Sequence, residues 1–398
     1  MYKALYTYAW DLADEGLDTV LERVREAGIN TITLAASYHA GKFVRPHGSS
    51  GKVYFPKDGT VYFKARPDRY GHIRPLVNPL VEEFDGFAEL QKRAPDLERC
   101  AWVVCLHNTP LGMEHPEFTS RNAFGDAYPY SLCPAHPAVR DYVVNLCADL
   151  VDRYDIHRIV LETPGWLPYD HGYHHEFALL PLDRYSKTLL ALCFSDATKR
   201  AAEAAAIDAE RLQARARTLL ERWFAADLAV PEAMAAAWWE SEIVGDPEWA
   251  RFLHWRCRLV AELVAAVKAV MPADTRLAVI PTVQRPSAAC WLEGSDFAML
   301  AAAADALEVP AYQASADEAF WDAWHVRARV GDDAPLHFIL RPSFPDLRGG
   351  AETVAAARRL KEVGLAGLAF YNYGHIRLTS LAHIQGALAV LDEAGEGP

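Results

Sequence analysis

The stretch Lys3-Ala4-Leu5-Tyr6-Thr7-Tyr8, the helix-patterned residues 17–27 ended by Gly28, and the apolar residues 31–37 read together as one strand–helix–strand unit. A glycine just past the last periodic residue caps a helix, and a strand that returns after one amphipathic helix is the unit of a parallel sheet. The unit recurs down the chain. Further strands are expected at 100–107, 158–162, 276–280, 306–312, 336–341 and 367–373, with helices at 81–93, 139–154, 249–270, 295–304, 315–330, 351–363 and 378–391. Eight strands, each followed by helix, predict an α/β fold: a (β/α)8 TIM barrel, a single domain over residues 1–398, in preference to a doubly wound open sheet.

The connections within this repeat are unequal. Residues 39–80 form a long loop after strand two, in which 52–55 and 60–63 are expected to pair as a hairpin around Lys57-Asp58-Gly59. A second long loop leads from strand three to Pro137. A helical insertion, 167–245, comes after strand four; within it 185–224 keeps a sustained helical period, while Pro231, Gly245 and Pro247 punctuate the chain between that period and the helix at 249–270. All three segments come directly after strands, so they crowd the C-terminal mouth, where the sites of such barrels lie.

Composition excludes several classes of function. The 398 residues are 51% hydrophobic and 23% charged, with 40 basic against 53 acidic side chains and a net charge of -13. Without clustered Lys and Arg, neither nucleic acid nor an anionic membrane surface is an expected partner. Seven cysteines are an odd, widely spaced set with no CxxC pair, so free thiols are expected rather than disulfides or a zinc knuckle. No charged-then-apolar leader opens the sequence, and no run approaches the ~20 apolar residues of a bilayer span, so a cytoplasmic protein is expected. Neither GxGxxG after a strand nor GxxxxGK[ST] occurs, and no cofactor is expected. The Ala-rich insertion reads equally as a lid or as a dimer contact, which leaves a homo-oligomer open.

The strand ends carry the chemistry. Tyr8, Trp10, Tyr38, His39, His107, Asn108, Trp166, Tyr312, Arg341, Tyr371, Asn372 and Tyr373 stand at or just beyond them, with His174 in the loop after strand four. Sugars present C–H faces that stack on Tyr and Trp and hydroxyl rims that bond to Asn, His and Arg, so a small carbohydrate is the expected substrate. Glu162 ends the apolar run Ile159-Val160-Leu161, where apolar surroundings raise a carboxyl's pKa toward general-acid use. Glu308, on strand six, is read either as a second catalytic carboxylate or as the buried partner of Arg341. Asp11 is an alternative second carboxylate, weighed against a place in the acidic helix entry with Asp14 and Glu15. The segment Tyr169-Asp170-His171-Gly172-Tyr173-His174-His175-Glu176 lacks HExxH spacing and reads as a loop over the pocket, and no metal is assigned. Cys133, three residues before His136, reads as a loop residue.

The combination of residues 131–140 (SLCPAHPAVR), Ile159-Val160-Leu161-Glu162 and Phe370-Tyr371-Asn372-Tyr373-Gly374 resembles uncharacterised barrel proteins grouped with glycoside hydrolases. The resemblance implies a (β/α)8 hydrolase. It departs from the large clan of retaining barrel glycosidases, in which an Asn precedes the acid/base on strand four and the nucleophile ends strand seven. Here Leu161 precedes Glu162, and strand seven ends in Arg341-Pro342-Ser343. Barrel glycosidases using strands four and six are the nearer analogy and imply the pair Glu162 and Glu308. The expected activity is cleavage of a small glycoside or oligosaccharide by carboxylate general acid/base catalysis, with a metal-dependent sugar isomerase or epimerase and a non-catalytic carbohydrate-binding barrel as alternatives.

Overall fold

The structure, a computed structural model of the chain, describes residues 1–173 and 176–393. Eight parallel strands form a closed ring: β1 (Tyr2–Thr7), β2 (Thr31–Tyr38), β3 (Glu98–Val104), β4 (Arg158–Glu162), β5 (Arg276–Val279), β6 (Ala306–Pro310), β7 (Leu336–Leu340) and β8 (Gly367–Phe370). Each strand pairs with its neighbours in chain order, and β8 returns to β1 through the register Tyr2↔Gly367 to Leu5↔Phe370. Nearly every strand residue is buried, as expected for parallel strands enclosed by helices on one side and by the barrel axis on the other.

The main crossover helices are α1 (Leu17–Glu26), α2 (Gly86–Arg93), α3 (Pro137–Arg153), α4 (Pro247–Ala269), α5 (Phe297–Ala303), α6 (Ala316–Val330), α7 (Gly350–Glu362) and α8 (Leu381–Asp392). Four more helices, Arg184–Ala191, Asp196–Ala204, Ala209–Ala225 and Glu232–Gly245, fill the connection after β4. The expected unbroken helical period over 185–224 is divided twice. Ser195 and Asp208 each accept a backbone N–H three residues ahead, from Thr198 and Arg211, and so start new helices where periodicity alone sees one.

The expected hairpin of 52–55 with 60–63 does not form. Val53–Tyr54 pairs instead with Phe43–Val44, and Thr60–Val61 joins the barrel sheet, antiparallel to the end of β2 through Ser37↔Val61 and Tyr38↔Thr60. The exposure of the two segments explains the choice: Thr60 and Val61 are buried and complete the sheet, while Val53 faces solvent. A hairpin that periodicity misses, Thr119–Arg121 with Ala127–Leu132, stands in the loop after β3. All seven cysteines are free and buried. Among the described residues no helix is long and apolar enough to cross a membrane.

Candidate active site

A cavity of about 260 Å³ lies at the C-terminal mouth of the barrel. Its aromatic walls are Tyr6, Tyr38, Trp102, Tyr312 and Tyr371; His39, His171, Arg285 and Arg341 add polar groups. Among the described residues Glu162 is the one Asp or Glu side chain on the lining. The last residue of β4, it is half-buried, and Trp102 on the adjacent strand donates its indole N–H to Glu162 Oε2 at 2.5 Å. Burial pushes the Glu162 carboxyl up to about 7, with the Trp102 hydrogen bond pulling in the opposite direction. A carboxyl so placed exchanges a proton near neutrality, which is what a general acid/base requires.

Behind this wall the hydroxyl of Tyr8 donates to that of Tyr38 at 2.9 Å and meets that of Tyr371 at 2.9 Å, and burial pushes all three phenols up. These neutral phenols fix the orientation of the tyrosine rings facing the cavity. Across it, the Arg285 and Arg341 guanidiniums lie over the Tyr312 ring at 4.6 and 4.3 Å from its centroid. Arg341 is held in a bidentate pair by Asp346, its Nη2 donating to Oδ1 at 2.6 Å.

The second expected carboxylate is elsewhere. Glu308 lies inside the barrel, fully buried and off the cavity lining. Its Oε1 accepts from the Tyr6 hydroxyl at 2.7 Å and the Tyr2 hydroxyl at 3.1 Å, and His337 Nδ1 stands 3.7 Å from Oε2. Neither of the two readings of Glu308 fits: it does not face Glu162 across the cavity, and Arg341 pairs with Asp346 rather than with it. Tyrosines on β1 hold one oxygen of the carboxylate, Oε1, a pairing that residue spacing does not reveal. Asp11 is also withdrawn. It is buried in the short helix Ala9–Glu15 and accepts from Arg45 Nε at 2.7 Å.

Of the expected substrate-binding residues, Tyr38, His39, Tyr312, Arg341 and Tyr371 line the cavity. Tyr8 backs it, and His107 stacks on His39 with centroids 4.1 Å apart. Five others serve the scaffold. Trp10 stacks on Tyr8 and Tyr54, and Trp166 is buried under the Arg256 guanidinium. Asn108 caps the helix Thr109–Glu114, Asn372 Oδ1 accepts from the Gly374 N–H, and the Tyr373 hydroxyl donates to Glu15. His174 lies outside the described residues. Sequence reading also misses residues. It does not single out Trp102 or Arg285, although Trp102 lies two residues before Val104 on a strand whose inward parity marks it. Glu293 is missed as well: its Oε1 accepts from Thr282 Oγ1 at 2.7 Å and the Val283 N–H at 3.1 Å, and burial, with a smaller effect from the nearby Glu162, pushes it up to about 7. The approach of the β4 exit to Glu293 depends on Gly165, where a Cβ would stand 2.0 Å from the Glu293 carbonyl oxygen.

No protein-family model matches the chain, and no curated protein matches it. Among solved structures, the glycoside hydrolase domain of PgaB (BpsB) from Bordetella bronchiseptica aligns over 100% of both chains, with a TM-score of 0.59 and 14% identity. The barrel is similar to that of a glycoside hydrolase. An alpha-galactosidase from Lactobacillus brevis aligns with a TM-score of 0.50 and 11% identity, covering 98% of this chain and 40% of that one. At such identities the likeness is one of fold, and the chemistry has to be argued from the cavity.

Proposed function

We propose that the chain is a glycoside hydrolase-like enzyme that cleaves a small glycoside or oligosaccharide, with Glu162 as the general acid/base. The observation that carries this reading is a carboxyl, raised to about 7, set among aromatic walls at the mouth of the barrel. A pyranose stacks its C–H face on Tyr38, Trp102 or Tyr371, and its hydroxyls meet Arg341 and His39. Protonated Glu162 delivers its proton to the glycosidic oxygen as the bond to the leaving group breaks, and the resulting carboxylate takes a proton from the water whose oxygen bonds to the anomeric carbon, which releases the sugar and restores the acid. Glu293, bonded to Thr282 and Val283 just beyond β5, is buried off the cavity lining and feels the charge of Glu162 only weakly.

A second cleft, of about 210 Å³, shares Arg285 with the cavity as a lining residue and is lined in part by Tyr169, Asp170, Arg184 and Lys187. Two clefts that share an arginine favour an oligosaccharide over a lone monosaccharide glycoside.

A panel of 4-nitrophenyl glycosides and short oligosaccharides assayed with the wild type and Glu162→Gln tests the proposal. The variant should keep the fold and lower kcat by ~10²–10⁴, the usual contribution of general acid catalysis. An unchanged rate removes Glu162 from the chemistry. Tight sugar binding without turnover by either protein favours the non-catalytic barrel.

A further inference from the structure

Three imidazoles converge at the rim of the cavity from separate parts of the chain. His39 comes directly after β2, His107 lies beyond β3, and His171 stands in the loop after β4. Each offers one ring nitrogen, and the three atoms lie within 4.8 Å of one another. Stacking accounts for the first two, whose rings are 18° from parallel. It does not account for His171, which is set edge-on to both, at 86° to His39 and 68° to His107.

Backbone carbonyls orient two of the rings. Ala40 O lies 2.7 Å from His39 Nδ1, and Gly172 O lies 3.0 Å from His107 Nε2. A carbonyl oxygen only accepts, so these nitrogens carry the protons, and the lone pairs fall on His39 Nε2 and His107 Nδ1. A histidine that donates one ring N–H to a backbone carbonyl and presents the other nitrogen as a base is the usual arrangement of a metal ligand with its supporting hydrogen bond.

We propose that His39, His107 and His171 form a binding site for a divalent transition-metal ion, with a coordination position open toward the cavity that holds Glu162. Three imidazoles without thiolate suit zinc and its neighbours and disfavour magnesium and calcium, which take oxygen ligands. Zinc bonds imidazole nitrogen at about 2.0–2.1 Å, and an ion centred in a triangle with edges of at most 4.8 Å is no more than roughly 2.8 Å from each corner, so inward ring movements of at most about 0.7 Å close the site. One ring of the stacked pair must swing for its lone pair to meet the ion. Three histidines with a fourth position left to a non-protein ligand match the ligand count of zinc sites that bind water or substrate. Here that position would hold a water or a sugar hydroxyl beside Glu162. The proposal stands apart from the glycosidase reading, because metal binding is measured without any substrate.

The test uses the full chain without an affinity tag, stripped with chelator and titrated with Zn²⁺ by calorimetry and with Co²⁺ by visible absorption. One ion per chain and a Co²⁺ d–d spectrum are expected. His39→Ala, His107→Ala and His171→Ala should each weaken Zn²⁺ binding at least ~100-fold, while His254→Ala, on the exposed face of α4, should leave it unchanged. His171 is in a surface loop, so its variant remains informative if a variant of buried His107 misfolds. Absence of saturable one-to-one binding, or equal affinity in His171→Ala, overturns the proposal.

Discussion

Trp102 and Glu162 show how a single hydrogen bond tunes the proposed acid. The indole N–H stabilises the carboxylate form and opposes the burial that drives the pKa up to about 7. Trp102→Phe removes the donor and keeps an aromatic ring, so the Glu162 pKa should rise further. An acid works only while protonated, so the alkaline limb of the kcat profile should move to higher pH. A profile that stays in place, in a variant with unchanged fold, would mean that another group supplies the proton. Glu162 is legible in the sequence because a carboxylate closing an apolar strand has few structural explanations. Glu308 gives the same signal and is an internal residue. The two differ in depth along the barrel axis: Glu162 is the last residue of β4, while two residues separate Glu308 from the end of β6. Sequence reading locates both strands but not the level at which the cavity floor lies.

At the scale of elements, the long loop after β2 is anchored by charge. Arg45 reaches back to Asp11 at 2.7 Å and Asp14 at 2.9 Å, and His47 stands 2.7 Å from Glu15, so residues 45–47 are clamped to the helix after β1. This acidic cluster is legible as a helix entry; its partner is not, because the interacting groups lie some thirty positions apart in a segment without periodicity. The strand–helix repeat is readable because each element carries its own burial pattern, whereas the pairing of 52–55 and 60–63 depends on which strand has an open edge. Burial holds Asp11 up at about 6 despite Arg45. Arg45→Ala should leave that carboxylate buried without its cation, a change costing about 3–5 kcal/mol when the carboxylate stays charged. Below pH 6 Asp11 takes up a proton and most of that cost disappears. Thermal melts should show a larger deficit for Arg45→Ala at roughly pH 8 than at roughly pH 5, and an equal deficit at both would mean that Arg45 acts through packing alone.

Across the whole molecule the buried acids give stability an unusual dependence on pH. Glu162 and Glu293 are raised to about 7 and Asp11 to about 6, while Asp14, bonded to backbone N–H groups and to Arg45, is lowered to about 2. A carboxyl with a raised folded-state pKa holds its proton more tightly in the native chain than in the unfolded one. Its stabilisation is complete below the unfolded value and is lost as pH rises through the folded value. Asp14 works in the opposite sense, its contribution being lost only as pH falls toward 2. Stability should therefore peak near roughly pH 5 and decline toward roughly pH 8. Each pKa unit is worth about 1.4 kcal/mol, so Glu293, moved from 4.5 to about 7, accounts for roughly 3 kcal/mol of that decline. General repulsion in a chain of net charge -13 also grows with pH, but salt screens surface charges far more than buried ones. Melting curves at about pH 5 and about pH 8, in low and high salt, separate the two causes. The decline should persist in high salt and shrink in Glu293→Gln, whose amide oxygen can still accept from Thr282 and Val283 without carrying charge. A decline abolished by salt, or identical in Glu293→Gln, would assign the pH dependence to the surface rather than to the acids beside the cavity.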